Sequence, residues 1–105
     1  MRKLEFNVEG QRLRRTPGCD FSCIVAGTVG YLQMQFHFSK EWDDCIKVVS
    51  FWLGDEEIPI KLNDDNLCEI APEVASHEMF DISVTGGKTG YRIVTNKYHM
   101  KQEVR

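Results

Sequence analysis

A chain of 105 residues with a formal net charge of −3 is long enough for one domain with its own hydrophobic core. Its composition, 42% hydrophobic and 28% charged, is typical of a globular protein, and no apolar stretch approaches the length of a membrane span. The N-terminus is interrupted by charged residues and does not read as a signal peptide, so we expect a protein that is made in, and stays in, a cytosol.

The charge is distributed unevenly along the chain. Residues 1–15 have a net charge of +3, residues 41–81 of −10 and residues 82–105 of +4. If the two terminal segments lie together, the molecule has a basic side and an acidic side. Such a body can pack against copies of itself or against a charged protein shell. The alternative, in which these residues are only solvated strand faces, remains open.

The first half of the chain is predicted to be a hairpin followed by a long loop. Leu4, Phe6 and Val8 alternate with polar residues, as in a strand with one buried face. A turn and a short return strand follow, which makes residues 1–15 a basic N-terminal hairpin. Residues 16–30 form a Gly-rich loop or arm, either docked on a partner or with Ile24 and Val25 in the core as a short strand.

Residues 30–53 are predicted to be two strands joined by a corner. Residues 32–38 alternate between apolar and polar side chains, and Trp42 in the corner is predicted to be buried. Ile46 to Leu53 is apolar at successive positions, which predicts a strand covered on both faces.

The second half contains further short strands separated by turn residues. Pro59 favours an edge strand, Pro72 favours the first turn of a short helix, and residues 86–90 are predicted to be a turn. We therefore predict one domain over residues 1–105, all-β, an immunoglobulin-like β-sandwich of about seven strands. The predicted core comprises Leu32, Met34, Phe36, Phe38, Trp42, Val49, Phe51, Ile70, Phe80, Ile82 and Val84.

Sequence motifs for catalysis or cofactor binding are lacking. The four cysteines do not have the paired spacing of a zinc site, so we predict free thiols and no metal. Gly86 to Gly90 lacks the spacing of a phosphate-binding loop and is not followed by a helical pattern. The aromatic residues alternate with acids rather than with Lys and Arg, which argues against a nucleic-acid surface. We expect a non-enzymatic protein without a cofactor that binds neither nucleic acid nor membrane.

Several stretches resemble an immunoglobulin-like domain of tailed-phage virion proteins. The resemblance lies in residues 31–43, with Lys47 and Phe51, and continues at residues 62–65, 68–74 and 90–96, so that it spans about two thirds of the chain. In that family the domain commonly sits at the N-terminus of baseplate upper proteins, tail fibres or head fibres and anchors them to the particle. One departure is Asp44, where the family often has Gly.

The resemblance implies a structural protein of the virion, assembled in the cytoplasm of a bacterial host. Relatives usually continue into a fibre after this domain, whereas this sequence stops at Arg105. We therefore expect a capsid decoration protein, an auxiliary head protein that binds the major capsid protein or other virion proteins and can also contact copies of itself. A tail or baseplate adaptor that anchors a fibre is the first alternative, and a phage inhibitor acting on the host is the second.

Attachment to a preformed shell requires a surface that is charged against its target, or apolar and adaptable. The basic hairpin and the loop after it adjoin in sequence and are predicted to form one such patch. Its partner-binding residues are Arg12, Arg14, Arg15, Phe21, Ile24, Val25 and Val29.

Overall fold

The computed structural model describes residues 1–104 and consists of two β-sheets packed as a sandwich. A 3₁₀ turn, Lys40–Trp42, forms the corner after the third strand, and a single helical turn, α1, spans Pro72–Ala75. Within the described residues the strands are β1 (Arg2–Glu9), β2 (Arg12–Arg15), β3 (Leu32–Phe38), β4 (Ile46–Leu53), β5 (Glu56–Lys61), β6 (Leu67–Glu69), β7 (Met79–Lys88), β8 (Tyr91–Val94) and β9 (Tyr98–Lys101).

The first sheet has the order β2-β1-β3-β6 and the second has the order β5-β4-β7-β8, with β9 also paired to β7. β1 and β3 run parallel, with Phe6 opposite Phe36. A parallel pair needs a crossover connection, and residues 16–31 cross from the end of β2 to the start of β3. The long loop is therefore a consequence of this pairing.

The core lies between the inward faces of the two sheets. Alternate residues of β1 and β3 are buried, as the period of two requires, and in β4 and β7 Ser50 and Ser83 are buried as well. Trp42 is completely buried, and its indole Nε1 donates a hydrogen bond of 2.8 Å to the carbonyl oxygen of Gly10. Of the predicted core residues, only Phe38 is partly exposed, and its ring packs against Trp42.

The prediction of an all-β sandwich is confirmed, with nine strands in place of about seven. Pro59 lies in the edge strand β5, and Pro72 is the first residue of α1. The prediction that β4 is covered on both faces is wrong for Ile46, whose side chain is 61% exposed. In the middle of β4 the same outer face is covered as predicted: Ser50 is buried, and the neighbouring Trp52 donates to Ser83 of β7.

A second correction concerns the predicted turn at residues 86–90. Gly86 and Gly87 belong to β7, and the chain turns only at Thr89 and Gly90. The structural reason is that Gly86 faces the Trp42 ring inside the sandwich, so this glycine serves close packing instead of a turn.

Candidate partner-binding surface

β2 displays its arginines along one edge of the first sheet. Leu13 points into the core, whereas Arg12 and Arg14, on the opposite face of the strand, are exposed. Arg14 forms an exposed ion pair with Glu9, and no ion pair of Arg12 is found in the part of the chain that the structure describes. Arg12 therefore offers a free guanidinium to a partner, while Arg14 offers a partly neutralised one.

The edge of β2 is held by Asn96, which lies in the connection between β8 and β9. The amide nitrogen of Leu13 donates to Asn96 Oδ1 at 2.8 Å, and Asn96 Nδ2 donates to the Leu13 carbonyl at 3.3 Å. A side-chain amide thus replaces the neighbouring strand that an edge lacks. This contact also joins the two sheets, so the basic segments at both ends of the chain meet on one side of the molecule.

The loop of residues 16–30 is fixed to β1 by Arg2. Its guanidinium donates to the carbonyl oxygens of Asp20 at 2.9 Å, Ser22 at 2.6 Å and Cys23 at 3.3 Å. The Asp20 carboxylate accepts bonds from the hydroxyl and the backbone amide of Ser22, and these bonds hold the pKa of Asp20 below its usual value. The loop is therefore an ordered part of the domain, and Arg2 is engaged internally.

Two apolar residues of the predicted patch help to build the domain itself. Ile24 is only 4% exposed, and Val25 forms a parallel bridge with Glu103. Of the expectation that these residues enter the core as a short strand, the burial of Ile24 is observed, but residues 24 and 25 form only the isolated bridge at Val25. Phe21 packs edge-on against the buried ring of Phe6, with centroids 5.2 Å apart.

Arg15 covers the other side of that aromatic contact. Its guanidinium carbon lies 5.8 Å from the centroid of the Phe21 ring, a distance typical of a cation–π contact. Arg15 remains exposed, so it can still contact a partner while it covers the ring.

The structure does not bring all seven predicted partner-binding residues together. Val29 is 74% exposed and precedes β3, whose first residue lies beside the start of β1. Arg12 lies opposite Glu9 in the strand register, at the far end of β1. At about 3.3 Å per residue, the eight residues of β1 separate these two ends by about 23 Å. The single patch predicted from adjacency in sequence therefore divides into a basic part at β2 and an isolated apolar residue at Val29. Their role in binding stays a prediction.

The opposite side of the sandwich is acidic. β5, β6 and their flanking turns contain one exposed lysine, Lys61, and seven exposed carboxylates: Asp55, Glu56, Glu57, Asp64, Asp65, Glu69 and Glu73. By contrast, no acid occurs in β2 or in residues 91–101, which comprise β8, β9 and their connection. These segments carry the exposed basic residues Arg12, Arg14, Arg15, Arg92, Lys97 and Lys101. The division into a basic and an acidic side that the charge distribution suggested is thus present in the fold.

A groove between β5 and β6 was missed by sequence reasoning. It has a volume of about 340 Å³ and is lined mainly by Val29, Ile60, Leu67, Cys68, Ile70 and Pro72. We attribute it to the difference in strand length, since β6 has only three residues and β5 has six. The inward-facing side chain of Ile60 in β5 is then not fully covered by β6 of the other sheet. No sequence pattern reports such a difference in strand length across two sheets.

The remaining reactive side chains do not assemble into a site. His37 pairs with Glu5, and His99 pairs with Asp81. Both pairs are exposed, and they lie in different sheets, the first on β1 and β3 and the second on β7 and β9. Within residues 1–104, no three His, Cys, Asp or Glu side chains cluster as metal ligands. All four cysteines are unbridged. None of the helices in the described region is long and apolar enough to cross a membrane.

Comparisons of this chain with protein-family models, with curated proteins and with solved structures return no match.

Proposed function

We propose that this chain is a non-enzymatic structural protein of a phage particle, and specifically a capsid decoration protein that binds the major capsid protein of an assembled shell. Two observations support the proposal. The sequence resembles immunoglobulin-like domains of tailed-phage virion proteins, and the chain has the β-sandwich architecture that this resemblance implies. The relationship to that family is itself part of the proposal.

The observation that carries the proposal is the exposed basic edge at β2. Arg12 and Arg14 project from a strand that is bonded to β1 on one side and to Asn96 on the other. A strand whose backbone is already fixed loses little backbone freedom on docking, which favours binding to a preformed surface. Clustered positive charge also steers encounter with an acidic surface on the shell.

The test is re-binding of purified protein to particles that lack it, measured by co-sedimentation. We expect Arg12→Glu combined with Arg14→Glu to reduce the bound fraction about tenfold or more at low salt, because two charges that steer docking are reversed. Folding should be retained, since both side chains are exposed and the Arg14–Glu9 pair that is lost contributes little.

The matched control carries a charge change of equal size at the turn before β5. Asp55→Lys combined with Glu56→Lys alters exposed residues on the acidic side and should leave the bound fraction within about twofold of wild type. Replacement of Glu57, the second residue of β5, is also expected to have little effect on binding. If the arginine variant binds as well as wild type while the control fails, the attachment surface is the acidic side and the proposed role of β2 is wrong.

Separated heads and tails distinguish the alternatives in the same experiment. Binding of wild type to isolated tails, with none to heads, would replace the decoration protein by a tail or baseplate adaptor. If wild-type protein binds no part of the particle, the structural proposal fails. Recovery of one host enzyme in stoichiometric complex from the bacterial cytoplasm would then support the host-acting inhibitor.

A further inference from the structure

From the groove between β5 and β6 we infer a second docking site, which binds an extended segment of a partner protein in which apolar side chains alternate with Lys or Arg. The segment would add as a strand beside β6. This site lies on the opposite side of the molecule from β2 and is independent of the proposed attachment to a shell.

The backbone of β6 is open to strand addition at one residue. The amide of Phe36 donates to the Asn66 carbonyl at 3.0 Å, which fixes the alternation of the antiparallel ladder between β3 and β6. By that alternation the N–H and C=O groups of Leu67 and Glu69 point away from β3. The Leu67 N–H donates to Asn63 Oδ1, and the Leu67 carbonyl accepts from the backbone N–H of Asn63. The N–H and C=O groups of Glu69 are therefore left facing the open side.

The neighbouring edge strand limits where an incoming segment can bond. The amide of Leu62 donates to the Lys47 carbonyl, and the resulting alternation turns the nitrogen of Pro59 away from β4. Proline carries no hydrogen there, so β5 lacks one outward donor. An extended segment therefore gains its backbone bonds at Glu69 of β6, while β5 supplies an apolar wall.

The side chains of the groove match an extended segment with apolar residues on one face. Cys68 lies opposite the buried Met34 and so points inward, and Ile60 lies opposite the buried Val49. Inward-facing side chains of an added strand would enter between these two residues, against Ile70. Burial raises the pKa of Cys68 to about 12, which makes its thiol a neutral wall of the groove at physiological pH.

Charge selects the partner. Glu69 lines the groove, and the exposed residues Asp64 and Glu73 directly follow the lining residues Asn63 and Pro72, whereas Lys61 is the one base in the lining. The β2 and β6 edges are separated by three strand spacings of about 4.8 Å, or about 14 Å, which exceeds the screening length of about 8 Å at physiological salt. The basic side therefore does not neutralise this rim, and an apolar centre within an acidic rim fits a segment with alternating basic residues.

The probe is a fluorescently labelled short peptide in which Lys alternates with Val, capped at both ends, and its binding is measured by anisotropy at physiological ionic strength, the condition at which the basic side is screened from the groove. We expect saturable binding to wild-type protein and none of a matched peptide with Glu in place of Lys. Amide signals of Glu69, Ile70 and Val29 should shift in nitrogen–proton correlation spectra on binding. Failure of the Lys–Val peptide to bind at about 1 mM, a concentration that detects even weak contacts, would overturn the proposal.

Two matched variant pairs locate the site. Glu69→Lys should weaken peptide binding about threefold to tenfold, whereas Glu78→Lys, the same charge change outside the groove, should leave it within about twofold. Val29→Ser should weaken binding more than Met79→Ser, since both side chains are exposed but only Val29 borders the groove. Equal losses within either pair would show non-specific attraction and reject the site.

Sedimentation of the protein alone tests the other occupant. Three results together would identify a second copy as the occupant: wild type self-associates with increasing concentration, Glu69→Lys abolishes this association, and the peptide does not bind. In that case our assignment of the partner is wrong. Monomeric wild type that binds the peptide agrees with the proposal.

Discussion

The indole ring of Trp42 occupies the space that a side chain at position 86 would need. A Cβ atom built on Gly86 would lie 2.6 Å from Trp42 Cε3, closer than real carbon atoms approach. The ring is completely buried and bonded to Gly10, so it is restrained from moving aside. The corner between β3 and β4 and the middle of β7 are thus fitted to each other, across more than 40 residues of sequence.

We predict that Gly86→Ala destabilises the domain by about 1–3 kcal/mol, because overpacking forces the ring or the strand to shift. The free energy of unfolding from urea denaturation measures the effect. Gly87→Ala is the matched control, since its Cβ would meet only the Tyr91 carbonyl, at 4.0 Å. Equal losses in the two variants would mean that general glycine effects, and not the Trp42 contact, decide the outcome.

Trp42→Ala should cost about 3–5 kcal/mol, the range for deletion of a buried aromatic side chain. The same deletion should also relieve the constraint on position 86. In a double-mutant cycle, Gly86→Ala is therefore expected to cost less in the Trp42→Ala background than in wild type. Strictly additive losses would contradict the proposed contact.

Asn96→Ala is predicted to reduce stability by about 1–3 kcal/mol, since the Leu13 amide and carbonyl both lose their partner. It also leaves the β2 edge bare, so the variant should aggregate faster on heating, which light scattering would record. Asn96→Asp keeps an acceptor for the Leu13 amide but cannot donate to its carbonyl, and it should fall between wild type and Asn96→Ala. An Asp variant as unstable as the Ala variant would show that the hydrogen bond from the Leu13 N–H to the side chain at position 96 is unimportant.

The loop contacts of Arg2 give a prediction for hydrogen exchange. Arg2→Lys keeps the charge but lacks the planar group that reaches three carbonyls. We expect faster amide exchange in residues 19–26 and a loss of about 1–2 kcal/mol in stability. Lys3→Ala, at an exposed neighbouring position of β1, should leave exchange in this loop unchanged. Unchanged exchange in Arg2→Lys would mean that the bridge between Val25 and Glu103 alone holds the loop.

The partly buried thiol of Cys68 predicts an alkaline loss of stability. Its pKa is raised to about 12 by burial, with a smaller effect of Glu69, from an ordinary value of 9.0. Between these values the folded state retains a proton that the unfolded state has released, so the free energy of unfolding falls as pH rises from about 9 towards 12. Below pH 9 the thiol is neutral in both states and adds no dependence.

Urea denaturation at pH 8 and pH 10.5 tests this dependence. Wild type should lose more stability over this interval than Cys68→Ala, which has no thiol to titrate. Cys23→Ser, which removes an exposed thiol, should show the same loss as wild type. If Cys68→Ala and wild type lose equal stability, another group controls the alkaline transition.

The sequence was sufficient to predict the class of fold and much of the core. Alternation along β3 and β7 identifies their inward residues, and the turn and proline positions mark most strand ends. It does not predict that β1 pairs in parallel with β3, because a period of two identifies the buried face of a strand but not its neighbour. Without that pairing, Val29 and Arg12 appeared adjacent when they lie at opposite ends of β1.

The candidate surfaces were predictable only in part. Charge along the chain indicated the basic and acidic sides, since most acids of residues 41–81 lie at β5, β6 and their turns, although the carbonyls of Glu41 and Asp43 accept bonds from Tyr91 and Lys88 near the basic side. The capture of Arg2 by the loop carbonyls depends on contacts between β1 and residues 20–23 that no local pattern encodes. The groove depends on unequal strand lengths in two different sheets, which become visible only when the sheets are stacked.

The buried side chain of Gln102 donates hydrogen bonds to the carbonyl oxygens of Ala75 and His77, at the end of α1. The backbone amide of Glu103 donates to Ile24 in the crossover loop. Residues 102 and 103 thus complete contacts of residues made much earlier, and such separations in sequence slow folding. The sandwich therefore closes only after residues 102 and 103 have left the ribosome. Until then the apolar faces of the finished strands are exposed to chaperones and to other nascent chains.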